Sequence, residues 1–87
     1  MIRIDGHAYK HGLTDEQILY AWSNPIVYRY RDALFPKEVI VMLGCLPDTR
    51  VCELVACKES HDTWCIFHAM TPPTKKFVRE VRGGSNV

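Results

Sequence analysis

Hydrophobic and polar positions along this chain change their spacing twice, and the changes divide it into helical and extended parts. From Leu13 to Trp22 the apolar residues Ile18, Ala21 and Trp22 fall at i, i+3 and i+4, the period of a helix with one buried face. Thr14-Asp15-Glu16-Gln17 fits a capping box: the threonine covers orphan amides, the glutamine reaches back, and two acids sit where the helix dipole favours them. Leu13 is placed to staple onto Ile18, and Ser23-Asn24-Pro25 stops the helix. Ahead of it, His7 to His11 reads as a short helix closed by Gly12.

From Ile26 the period becomes two. Val27, Arg29 and Arg31 share one face of a strand, and Ile26, Tyr28 and Tyr30 the other. Asp32 to Lys37, with Pro36, reads as a loop, followed by strands over Val39 to Leu46, Val51 to Lys58 and Thr63 to Ala69. Polar turns at Pro47-Asp48-Thr49-Arg50 and Glu59-Ser60-His61-Asp62 make the three strands an antiparallel meander. Pro72-Pro73 breaks the pattern, and Thr74 caps a last helix through about Val81. Phe77, Val78 and Val81 form its apolar stripe, opposite Lys75, Lys76, Arg79 and Arg82. The sum is an α+β domain over residues 1–82 with two N-terminal helices, about four antiparallel strands and a C-terminal helix, the helices packed on one sheet face. Residues 83–87 read as a flexible tail.

Composition narrows the function classes. At 87 residues with 47% apolar content the chain supports one small core and is not globally disordered. It has no apolar run long enough for a membrane helix and no internal repeat, and it opens without an apolar leader, so membrane insertion and secretion are not expected. The cysteines, Cys45, Cys52, Cys57 and Cys65, are spaced C-x6-C-x4-C-x7-C, which matches no zinc knuckle. They lie inside strand-like runs, where Cys52 and Cys57 point to opposite faces; buried reduced thiols in a cytoplasmic protein are the expectation. Net charge is only +1, but from Thr71 onward Lys75, Lys76, Arg79 and Arg82 face a single acid, Glu80. Such a patch suits phosphate, or is simply a solvated helix face.

Three local signatures carry a family resemblance. Lys10-His11-Gly12-Leu13-Thr14-Asp15-Glu16 is similar to a "KHGVT/S-x-E" opening, Asn24-Pro25 follows the capped helix into the first long strand, and a strand ending in His68-Ala69-Met70 leads by a short linker to a basic helix over Thr74 to Arg82. In that order, over about residues 7 to 82, they resemble the BrnT-like branch of the RelE/ParE toxin superfamily. The resemblance implies a cytoplasmic toxin of a bacterial type II toxin–antitoxin pair that cleaves RNA without metal or cofactor, using the RNA's own 2′-hydroxyl as nucleophile. It also implies a small cognate antitoxin as partner, in a hetero-oligomer. The chain departs from the pattern at Met70, where these toxins tend to carry arginine, and at His68, where they carry serine. The departure leaves open a toxin-like protein that binds antitoxin or nucleic acid without cleaving, or a ParE-like inhibitor of a protein target.

For metal-free cleavage, His68 is the candidate general acid or base, because imidazole exchanges protons near neutral pH. Arg29 or Arg31 is the candidate clamp on the transition-state charge, and Lys75, Lys76 and Arg79 are candidate RNA-backbone contacts. Each has a plainer reading: His68 bonded to a carbonyl, the two arginines an exposed strand face. His7 and His11, four apart, look like half a metal site but lack the carboxylate pattern of one, and His61 lies in a turn. Trp22, Tyr28, Tyr30 and Trp64 read as core aromatics or as base-stacking rings.

Overall fold

The computed structural model describes residues 1–31 and 38–83; the loop expected over Asp32 to Lys37 and most of the expected tail lie outside them. In chain order the elements are β1 (Ile2–Ile4), a 3-10 helix (Gly6–Tyr9), α1 (Asp15–Ser23), β2 (Pro25–Arg31), β3 (Val39–Cys45), β4 (Val51–Ser60), β5 (Thr63–Met70) and α2 (Lys75–Val81). Among the described residues the strands form one five-stranded sheet in the order β1-β5-β4-β3-β2.

This architecture corrects the expected one in three respects. The chain starts on a strand: Ile2 to Ile4 pair in parallel with Trp64 to Ile66, so the sheet is mixed and has five strands rather than four antiparallel ones. The first expected helix is a single 3-10 turn, nucleated by the Asp5 carboxylate accepting from His7 N–H, and α1 therefore lies mid-chain between β1 and β2. Finally, the helices flank the sheet on opposite faces. Ala8, Ile18 and Ala21 pack with Ile40, Met42, Leu54, Ala56 and Ile66, whereas Phe77 and Val81 of α2 pack with Val41, Leu43 and Val55.

α1 forms where its cap dictates. Thr14 Oγ1 accepts from Gln17 N, and Gln17 Oε1 accepts from Thr14 N, the reciprocal pair of a capping box. Ile18 and Ala21 are fully buried beneath it, and burying a side chain such as Ile18 contributes roughly 1.5–3 kcal/mol. The helix comes so close to β3 that a Cβ built on Gly44 would stand 2.4 Å from the Ala21 carbonyl oxygen. Hydrogen there is the condition for the contact.

Two irregularities in strand pairing set which way side chains point. In β2 the register shifts between Pro25 and Val27, leaving Ile26 exposed and placing Val27, Arg29 and Arg31 opposite Leu43, Val41 and Val39 on the α2 face. In β5, Ala56 pairs with Ile66 and Val55 with His68, so Phe67 is an extra, bulged residue. Side chains alternate along a strand, and one inserted residue resets the alternation. Ile66 stays in the core beneath α1, while His68 emerges on the other face beside Phe77. Without the bulge His68 would lie opposite Leu54 in the apolar core.

Candidate functional site

His68 is held from below by a buried acid. Its Nε2 lies 2.7 Å from Glu53 Oε2, and Glu53, on β4, is only 4% exposed. The second carboxylate oxygen, Oε1, accepts from the backbone N–H of Thr74 at 2.8 Å. Thr74 is the N-cap of α2, its Oγ1 accepting from Phe77 N–H, so one carboxylate ties the start of the helix to the histidine. With Glu53 as the carboxylate acceptor, Nε2 carries the hydrogen of this bond and Nδ1 is the ring nitrogen left for a ligand. Glu53 is not among the candidates named from the sequence. Its one signal was a lone acid inside the apolar run Val51-Cys52-Glu53-Leu54-Val55, at a position where alternation sends the side chain inward.

The ring of His68 borders an open cleft of about 620 Å³. β1 pairs with β5 only as far as Ile66, where Asp5 N–H donates to the Ile66 carbonyl. Beyond that point the 3-10 turn lies against β5 and brings His7, Lys10 and His11 to the cleft wall. The His11 and His68 rings meet edge to face, centroids 5.6 Å apart. Phe77 lies 6.5 Å from His68 on the other side, and Phe67 and Val55 complete an apolar floor. His7 also sits 3.3 Å from Asp5, whose carboxyl is held below its usual range, first by the His7 backbone N–H.

The two candidate arginines part company. Arg31 reaches the cleft wall, while its Nε and Nη2 donate to Glu80 Oε2 and Oε1 at 2.8 and 3.1 Å. That fork holds the Glu80 carboxyl below the ordinary carboxylate range and still leaves three of the guanidinium's five N–H groups for a ligand. Arg29 is turned to the end of α2, donating to the Glu80 carbonyl at 3.2 Å, and does not line the cleft. Lys75, Lys76 and Arg79 are exposed on α2 beyond Phe77 and likewise do not line it. Met70 lies opposite Glu53 on the neighbouring strand.

The aromatic set lies on the α1 side. Tyr28, Tyr30, Trp64 and Trp22 form a chain of ring contacts 6.1–6.4 Å apart, with both tryptophans packed on the core and both tyrosines about half exposed. Among the described residues no helix is long and apolar enough to cross a membrane. The same residues contain no group of three His, Cys, Asp or Glu placed to hold a metal ion. No family model, curated protein or solved structure matches the chain.

Proposed function

We propose that the cleft binds single-stranded RNA and cleaves it without metal, and that the protein acts as the toxin of a toxin–antitoxin pair, as its resemblance to BrnT-like toxins implies. The observation that carries this reading is the buried Glu53–His68 pair opening on a cleft where a second imidazole, His11, meets the first. Transfer of the 2′-hydroxyl oxygen to phosphorus needs a base for that hydroxyl, an acid for the departing 5′-oxygen and positive charge for the phosphorane. His68, oriented by Glu53, presents Nδ1 as the base. His11 is the acid, and Lys10 with the unspent N–H groups of Arg31 meets the developing charge. In this scheme Lys10 and Arg31 supply what Met70 lacks. The products are a 2′,3′-cyclic phosphate and a free 5′-hydroxyl.

The test uses single-stranded RNA incubated with the protein in chelator, with product ends analysed and a parallel substrate carrying one 2′-deoxynucleotide. Cyclic phosphate ends, and no cut at the deoxy position, are the expected result. Cuts at the deoxy position, or activity that chelator abolishes, would overturn it. Met70 favours a second reading, in which the same cleft and basic helix bind RNA or an antitoxin without chemistry; binding with wholly intact RNA is its signature.

A further inference from the structure

Cys57 and Cys65 are direct partners across the antiparallel β4–β5 pair, in a row that runs Val39, Cys57, Cys65 and Arg3 from strand to strand. Directly opposed residues project from the same face of a sheet. Both cysteines carry free thiols, Cys57 half-buried and Cys65 buried. The backbone shows which kind of pair they make. Trp64 N–H donates to the Met1 carbonyl and Asp5 N–H to the Ile66 carbonyl, so the polar groups of Trp64 and Ile66 face β1. Alternation then turns those of Cys65 toward β4. On the other side Lys58 N–H donates to the Glu38 carbonyl, away from β5, which turns the groups of Cys57 toward it. Cys57 and Cys65 therefore form a hydrogen-bonded pair, with Cα atoms about 5.5 Å apart.

We propose that Cys57 and Cys65 are the site of a reversible, oxidant-driven disulfide between β4 and β5. A Cα separation of about 5.5 Å is within the range disulfides span. In hydrogen-bonded pairs the Cβ atoms stand at the wide end of about 4.5–5.5 Å, whereas a relaxed disulfide holds them near 3.8 Å. The bridge forms with local strain, and strained disulfides are the readily reduced ones. With hydrogen peroxide as oxidant, the Cys57 thiolate, the more accessible of the two, attacks one peroxide oxygen and breaks the O–O bond, giving a sulfenic acid and, after proton transfer to the departing hydroxide, water. The Cys65 sulfur then attacks the Cys57 sulfur, losing its proton as the hydroxyl leaves as a second water. Two thiols are oxidised by two electrons and the peroxide is reduced to two waters. Burial pushes the Cys65 thiol above its ordinary range, and the Arg3 guanidinium opposes that shift. That suits Cys65 to resolve rather than initiate. Cys52, buried on the opposite face with its thiol pushed up to about 11, is unsuited to either step.

The experiment treats the full chain with hydrogen peroxide, then counts free thiols and maps peptides by mass spectrometry with and without dithiothreitol. The wild type is expected to lose two thiols and the mass of two hydrogens in a Cys57–Cys65 linked peptide, and to recover both with glutathione. Cys57→Ser and Cys65→Ser are each expected to form no linkage, and a Cys45→Ser, Cys52→Ser double variant to behave as wild type. Four surviving thiols, a linkage mapped to another pair, or a link that glutathione leaves intact would each overturn the proposal. Circular dichroism of each variant separates loss of the bridge from loss of the fold.

Discussion

His68 Nε2 lies 2.7 Å from Glu53 Oε2, joining a half-exposed imidazole to the one buried charged side chain among the described residues. The bond crosses from β5 to β4 at the point where the Phe67 bulge turns His68 out of the core. The same carboxylate accepts from the backbone N–H of Thr74, the N-cap of α2. Placement of the histidine and docking of the helix are thus one event.

Replacing Glu53 separates these roles. Glu53→Ala leaves the Thr74 amide and the imidazole without their partner inside the protein and is expected to cost about 3 kcal/mol in urea unfolding. Glu53→Gln keeps an oxygen for Thr74 but offers His68 an N–H, which forces the proton onto Nδ1. Its stability is expected to stay within about 1.5 kcal/mol of wild type while cleavage falls roughly 100-fold or more. Equal loss of stability in both variants would show that the carboxylate only supports structure.

Gly44→Ala drives a methyl group to 2.4 Å from the Ala21 carbonyl oxygen, a backbone atom that moves only if α1 moves. A loss of roughly 1–3 kcal/mol is expected by thermal or urea unfolding. Unchanged stability would mean that α1 does not sit against β3 at this distance.

Thr49, in the turn between β3 and β4, has a φ of 74°, a left-handed conformation unfavourable for a β-branched residue. Asparagine tolerates that region, so Thr49→Asn is expected to stabilise the protein by about 1 kcal/mol, read as a higher Tm. A lower Tm would count against the turn geometry.

The Arg31–Glu80 fork introduces a pH dependence of known sign. Because Arg31 holds the folded-state carboxyl of Glu80 below its ordinary range, the pair contributes stability above that range, and the contribution is lost as pH falls through the folded value. Both side chains are more than a third exposed, so the effect is small, under about 1 kcal/mol. Comparing wild type with Glu80→Gln, the stability difference at pH 7 is expected to vanish once the pH falls below the lowered folded-state value of Glu80. A difference that persists at low pH would place the effect of Glu80 in packing rather than charge.

Local signals were legible and long-range ones were not. The α1 capping box lies within four consecutive residues, Thr14 to Gln17, and was readable as such. The strand face of Val27, Arg29 and Arg31 also followed from alternation, because the irregularity at Ile26 precedes it. β1 is three residues long and pairs with a strand some sixty residues away, too short for a period and too distant for a turn to announce it. The opposite placement of α1 and α2 rests on the sheet's two apolar faces, which a strand buried on both sides does not reveal by its pattern. At the site, His68 and Arg31 were readable as candidates, but Glu53 and His11 acquire a role only through contacts made by the folded chain. Arg29 shares the face of Arg31 as alternation predicts, but its bond to the Glu80 carbonyl depends on where α2 docks, and Lys75, Lys76 and Arg79 lie outside the cleft wall.

The most direct test is the single-turnover cleavage rate of end-labelled single-stranded RNA in chelator by wild type and by His68→Ala, with RNA affinity measured for both. The assignment of His68 as base predicts metal-independent cleavage that falls by roughly 100-fold or more in the variant, with binding retained. Equal rates in the two proteins, or no cleavage by wild type at saturating protein, would contradict it.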